Sequence, residues 1–202
     1  MNLLDNITIF NNERSRAITP ENPTGEKGKA CMADSYLGKS RKGKSNIKLP
    51  MNEETIIADI EGPGIIKHMW MTIRDRTEKG AFVLRDVVLR IYWDGCEVPA
   101  VEAPIGDFFC NGFGERCDIA SLPIVVCPNG GFNSYFRMPF KKRAKVTITN
   151  QHPKDITAFF YTINYSLVND IDSDSGLSVQ QPRRQPGGYH ASLQFGDIGD
   201  YA

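Results

Sequence analysis

Apolar and polar positions alternate with a period of two through the middle of this chain, and that period predicts β-strands, whose successive side chains point to opposite faces. Residues 55–60 are extended, Glu61-Gly62-Pro63-Gly64 reads as a turn, and residues 65–74 return, so the two runs are expected to form a hairpin. Residues 83–91 alternate too, although Leu84 and Val88 make the run apolar on both faces. Trp93-Asp94-Gly95-Cys96 supplies turn chemistry, because Asp-Gly accepts positive φ. Extended runs follow at 97–102, 134–140 and 145–149, and residues 157–168, rich in β-branched and aromatic side chains, read as a long strand. Polar turns at 75–80, 141–144 and 150–155 separate them. A parallel sheet needs long crossover helices, and none is evident. The expected fold class is therefore all-β: an antiparallel β-sandwich, jelly-roll in type, with long irregular loops.

Outside this block the pattern weakens. Residues 1–17 read as a short helix or an extended arm, and the prolines and glycines of 19–30 exclude regular structure there. The basic run of Lys39, Arg41, Lys42, Lys44 and Lys48 lacks interleaved aromatics and reads as a solvated loop. Past Val168 an acidic stretch and a Gln/Pro/Arg/Gly stretch lack apolar periodicity. The expected organisation is an N-terminal arm with polar loops at 1–54, the sandwich at 55–168 and an irregular tail at 169–202.

Composition narrows the function classes. The chain has 202 residues, enough to bury a real core. Its 24 Lys plus Arg balance 24 Asp plus Glu, which argues against nucleic acid or an anionic membrane as the main partner. No apolar run approaches the ~20 residues of a membrane span. The N-terminus lacks the pattern of an export signal, so the expected location is cytoplasmic, or periplasmic if a leader has been removed. Cys31, Cys96, Cys110, Cys117 and Cys127 form no C-x-x-C pair and read as free thiols, with a Cys110–Cys117 disulfide left open. His68, His152 and His190 lack metal-ligand spacing, so neither metal nor cofactor is expected. His68 reads as a strand residue with a satisfied hydrogen bond.

Candidate chemistry concentrates in two places. In Pro104-Ile105-Gly106-Asp107-Phe108-Phe109 one carboxylate sits between a glycine and two aromatics; in Ser134-Tyr135-Phe136-Arg137-Met138-Pro139-Phe140 an arginine sits among aromatics. Carboxylate, guanidinium and rings together suit a sugar, which offers hydroxyls to polar groups and C–H faces to rings. Asp107 either caps backbone amides or accepts from sugar hydroxyls. Arg137 either pairs with such a carboxylate or contacts the ligand. Phe108, Phe109, Tyr135 and Trp93 are either core and interface residues or stacking platforms. Glu97 and Glu102 are five apart on an extended run and so fall on opposite faces, which leaves Glu102 with Asp107 as the internal candidate for a catalytic pair.

Laid out in order, several segments resemble a known family. Arg14-Ser15-Arg16 with Glu21-Asn22-Pro23-Thr24-Gly25-Glu26-Lys27-Gly28 begins the match. Gly64-Ile65-Ile66-Lys67-His68-Met69-Trp70 and Leu89-Arg90-Ile91-Tyr92-Trp93-Asp94-Gly95 continue it, with the two candidate segments above and Tyr161-Thr162-Ile163-Asn164-Tyr165. These are similar to the N-terminal half of glycoside hydrolase family 172, known from gut bacteria, over about residues 14–168. The resemblance implies tandem jelly rolls assembled as trimers or their multiples, acting on fructose- or arabinose-containing glycans by a retaining mechanism with two glutamates. It also implies that Asn22 and Glu26 lie on a loop near the pocket, giving Asp107, Phe108, Phe109, Arg137, Tyr135, Asn22 and Glu26 as expected substrate contacts. The family's glutamates lie in a second half around a Gly-Thr-Glu-Asp-Tyr type motif. The nearest echo here, Gly199-Asp200-Tyr201, lacks the glutamate. The expectation is a first jelly roll that handles an oligo- or polysaccharide but lacks the catalytic pair; the alternatives are a structural, oligomer-forming jelly roll without catalysis and a carbohydrate-binding module.

Overall fold

The computed structural model describes residues 12–30, 43–74, 82–169 and 171. Cys31, His190, the turn at 75–80, three basic residues (Lys39, Arg41 and Lys42), residues 1–11 and the tail from 172 onward lie outside these. Among the described residues twelve strands form two antiparallel sheets, joined in part by two helical turns. The larger sheet contains β1 (Arg14–Ile18), β12 (Ile156–Leu167), β4 (Gly64–Ile73), β9 (Phe132–Ser134), β8 (Ile124–Val126) and β7 (Ile119–Ala120) in that order. β10 (Met138–Phe140) also pairs with β4, and β2 (Ile47–Leu49) pairs with β12. The smaller sheet runs β3 (Glu54–Glu61), β11 (Arg143–Asn150), β5 (Val87–Trp93), β6 (Val101–Pro104). The protein is an all-β sandwich.

The expected 55–74 hairpin does not form. β3 pairs with β11 in the small sheet, whereas β4 pairs with β12 in the large one, so the turn between them is a corner that passes the chain from sheet to sheet. Phe140 explains the glycines there. A Cβ on Gly62 would lie 2.3 Å from its ring and one on Gly64 2.5 Å, so only a bare backbone passes over it. The strand expected at residues 83–91 is also corrected at its start. α1 (Val83–Asp86) is a helical turn, which places Val83 and Leu84, both 0% exposed, in the core together; a strand would have sent them to opposite faces. Likewise α2 (Ile105–Phe108) turns within the loop, and the 134–140 run is broken into β9 and β10. β1 and β2, drawn from the expected arm, add strands to β12.

The core lies between the sheets. Met69, Met71, Ile73, Tyr161 and Ile163 project from the large sheet, and Ile60, Leu89, Ile91, Val146 and Ile148 from the small one. Phe109 fills the space beside α2, edge-on to Phe108 and stacked on Phe132 at 5.4 Å. The Asp94 and Gly95 turn has φ of 55° and 84°, as its sequence requires. Asp94 Oδ1 accepts from the backbone N–H of Lys141, Lys142 and Arg143 at 2.9, 2.6 and 3.2 Å, tying two turns of the small sheet to one carboxylate.

Candidate functional site

The outer face of the large sheet carries a polar and aromatic strip. On β4, Met69 and Met71 point inward, so His68, Trp70 and Thr72 point out, and each is half-buried. Asn164 on β12 lies opposite His68, and Asn133 on β9 lies opposite Trp70. Between β9 and β10 the chain leaves the β4 ladder for three residues. There Tyr135, 48% exposed, lays its ring over His68 with centroids 4.8 Å apart and planes 23° apart.

Hydrogen bonding fixes this arrangement. Asn133 Nδ2 donates to the carbonyls of Val125 and Gly131 at 3.2 and 3.0 Å, so its Oδ1 must be the atom facing His68. His68 Nε2 lies 3.1 Å from that oxygen and therefore carries the proton. The other nitrogen, Nδ1, accepts from Asn164 Nδ2 at 2.9 Å. Neither ring nitrogen is left for a metal or for proton transfer. The imidazole serves as a flat support beneath Tyr135.

One end of the strip is charged. Lys67 Nζ forms an ion pair and hydrogen bond with Glu13, and Arg137 stands close enough to act on the same carboxylate through its charge. Burial pushes the Glu13 carboxyl up, but hydrogen bonds from Lys67 and Ser166 and the charges of Lys67 and Arg137 outweigh it, holding Glu13 below the usual range.

Asp107, the other sequence candidate, sits on α2 and pairs with Arg85 of α1, which also donates to the Gly112 carbonyl at 3.2 Å. The partner open to Arg137 in the sequence reading is thus taken by a different arginine. Close by, Phe113 is 98% exposed, and Phe82 crowds Gly114. Phe108 and Phe109 are buried.

Residues 39–163, well over half of the chain and nearly all of the sandwich, match the family model described as GH172 domain-like. The chain belongs to this family. No curated protein matches it. The GH172 domain-like family is glycan-related, and the strip and the α2 loop both offer rings beside polar groups.

The remaining sequence candidates stand apart from both places. Glu102, on the outer face of the small sheet, accepts from Arg90 Nε at 3.1 Å, and Arg90 also lies 3.5 Å from Glu54. Glu102 and Asp107 are therefore engaged by separate arginines. Asn22 is buried and spends its amide on the backbone: Nδ2 donates to Glu26 O at 3.0 Å and Oδ1 accepts from Glu26 N at 3.2 Å. That bracket sets the loop that lays Gly25 against Tyr165; a Cβ there would meet the phenol oxygen at 2.4 Å. Glu26 is exposed. His152 is buried and pairs Nδ1 with Asp86 Oδ2 at 2.8 Å, latching the 150–155 turn to α1. Cys96, Cys110, Cys117 and Cys127 are free thiols, so the disulfide left open between Cys110 and Cys117 is not formed. Among the described residues no three His, Cys, Asp or Glu side chains group to hold a metal, and no helix is long and apolar enough to cross a membrane.

Sequence reasoning selected Tyr135 and Arg137 but passed over Trp70, Asn133 and Asn164 as site residues. The signal was present in β4, where His68, Trp70 and Thr72 are large or polar while the positions between them are methionine.

Proposed function

We propose that this domain handles furanose-containing glycans of the fructan or arabinan kind, binding them on the outer face of the large sheet without supplying a retaining pair of its own. The observation that carries the reading is the half-exposed Tyr135 ring, stacked on an imidazole whose two nitrogens are already bonded. A rigid ring held face-out over His68 suits the C–H face of a sugar, and its support is spent on holding it in place. The carboxylates support a binding role. Asp107 and Glu102 are matched by arginines. Glu13 and Asp59 are held below their ordinary range, the latter chiefly by hydrogen bonds from Arg143, while a retaining general acid needs the opposite shift.

The test combines hydrolysis and binding assays on fructan and arabinan oligosaccharides, using the 1–202 chain and Tyr135→Ala. Saturable binding without product release, lost in Tyr135→Ala, is the expected outcome. Product release abolished by Glu102→Gln or Asp107→Asn would overturn it in favour of a complete enzyme.

A second reading, assembly into a homo-oligomer without sugar chemistry, is favoured by Phe113, 98% exposed, with Leu122 at 77%. Sedimentation velocity separates the two. A concentration-dependent trimer dispersed by Phe113→Ser, with no sugar binding at any concentration, would transfer the function to this surface.

A further inference from the structure

The hydrogen-bonding groups of the strip fall into two sets. Asn133 is spent on two backbone carbonyls and on His68, His68 on Asn133 and on Asn164 Nδ2, and Thr72 donates to Gly130 O at 2.8 Å. Lys67 is spent on Glu13. Of the strip's groups, the donors without a hydrogen-bond partner among the described residues are the Trp70 indole N–H, the Tyr135 hydroxyl and the guanidinium of Arg137, which is exposed; the acceptor beside them is Asn164 Oδ1. Indole and guanidinium are donors only, and the phenol donates readily. The set is thus rich in donors, and with Glu13 and Lys67 cancelling, Arg137 leaves one positive charge in excess at one end.

Register gives the strip a length. Arg137 immediately precedes Met138, which pairs with Ile66, while Trp70 lies opposite Asn133. His68 and Trp70 are two strand positions apart, and Lys67 is the extra residue of a bulge just before His68, so Lys67 and Trp70 are about 7–10 Å apart at 3.3 Å per residue. That leaves room for more than one sugar ring, with Tyr135 and His68 between the two ends.

The geometry points to an acidic oligosaccharide as the ligand: a glycan whose carboxylated unit sits at Arg137, whose next ring stacks on Tyr135, and whose following hydroxyl accepts from Trp70. A planar guanidinium receives a carboxylate through two parallel N–H···O bonds, a geometry that Lys67, a point charge already paired, does not offer. This assignment rests on the glycan reading above and adds the charge of the substrate to it.

The experiment is calorimetric titration of the 1–202 chain with a glucuronate-capped arabino-oligosaccharide and with the same oligosaccharide uncapped. The capped ligand is expected to bind about tenfold more tightly, with the advantage shrinking as salt is raised. Arg137→Gln should bring the capped ligand down to the affinity of the uncapped one. Tyr135→Ala should weaken both ligands, and circular dichroism of each variant reports that the fold is kept. Equal affinity for the two ligands, or an equal loss for both in Arg137→Gln, overturns the acidic assignment and leaves the glycan reading standing. Failure of both ligands to bind overturns the glycan reading itself.

Discussion

Replacing Asn133 by alanine should separate the strip's support from the fold around it. The side chain makes three hydrogen bonds: to Val125 O at 3.2 Å, to Gly131 O at 3.0 Å and with His68 Nε2 at 3.1 Å. A net value of about 1 kcal/mol per bond sets about 3 kcal/mol as the ceiling. Asn133 is half-buried, so water can replace part of that bonding. The expected loss is therefore about 1.5–2.5 kcal/mol, or about 4–8 °C in Tm for a domain of this size. The second effect is local. Without the Asn133 oxygen only the Asn164 amide, whose own oxygen has no partner among the described residues to hold its orientation, still favours the proton on Nε2, and the imidazole can exchange tautomers and tilt away from Tyr135. Scanning calorimetry measures the first effect, and nitrogen NMR of the His68 ring the second, with a single Nε2–H tautomer in the parent and a mixture in the variant. An unchanged Tm, or an Nδ1–H tautomer in the parent, would refute the chain of hydrogen bonds from Asn133 to Tyr135.

Other outcomes follow from the same geometry. Phe109→Ala removes a fully buried ring stacked on Phe132 and should cost about 3–5 kcal/mol in urea unfolding. Gly64→Ala puts a Cβ 2.5 Å from Phe140 and 2.9 Å from Ser166 O, and overpacking of that kind should cost about 1–3 kcal/mol, relieved in part when Phe140 is shortened to leucine. Asp107→Asn breaks a partly exposed pair with Arg85 and should change stability by under about 1 kcal/mol in the same assay. Glu13 and Asp59 titrate below their ordinary 4.5 and 3.8, so the stability they contribute is present above those values and is lost as the pH falls through their lower folded ones; Tm measured against pH should drop there, and less steeply in Glu13→Gln.

The sandwich was legible in the sequence because its longest strands alternate cleanly. Residues 145–149 and 157–168 lie almost wholly within β11 and β12, and Asp94-Gly95 turns where its chemistry says it should. Strand partnership was less legible. The 61–64 turn has hairpin composition, but its strands part into different sheets, each pairing with a strand from late in the chain, and its glycines pass over Phe140, also far along the chain. A local pattern holds no record of that contact. Val83 and Leu84 misled for a related reason: adjacent apolar residues suit a strand buried on both sides or a helical turn facing the core, and period alone does not separate them.

The candidate site was half legible. Tyr135 and Arg137 stood out because arginine among aromatics is chemically distinctive, and both lie beside the strip. Asn22 was expected near the pocket because its loop resembles a family loop, but it spends its amide on Glu26, a hydrogen bond that composition does not reveal. Asp107 and Arg137 looked like possible partners and are not paired, since α1 brings Arg85 to Asp107 first. Asn133 and Asn164 were hidden because strand asparagines are ordinary until the register sets both against His68.

The most direct test of the central claim is to map the binding surface. Amide chemical-shift changes would be recorded on the 1–202 chain during titration with an arabino-oligosaccharide. The account predicts saturable changes concentrated at residues 67–72 and 133–137, with the His68 and Trp70 side-chain signals moving alongside them. Changes centred instead on Asp107, Gly112 and Phe113, or spread along the small sheet around Arg90 and Glu102, would contradict it.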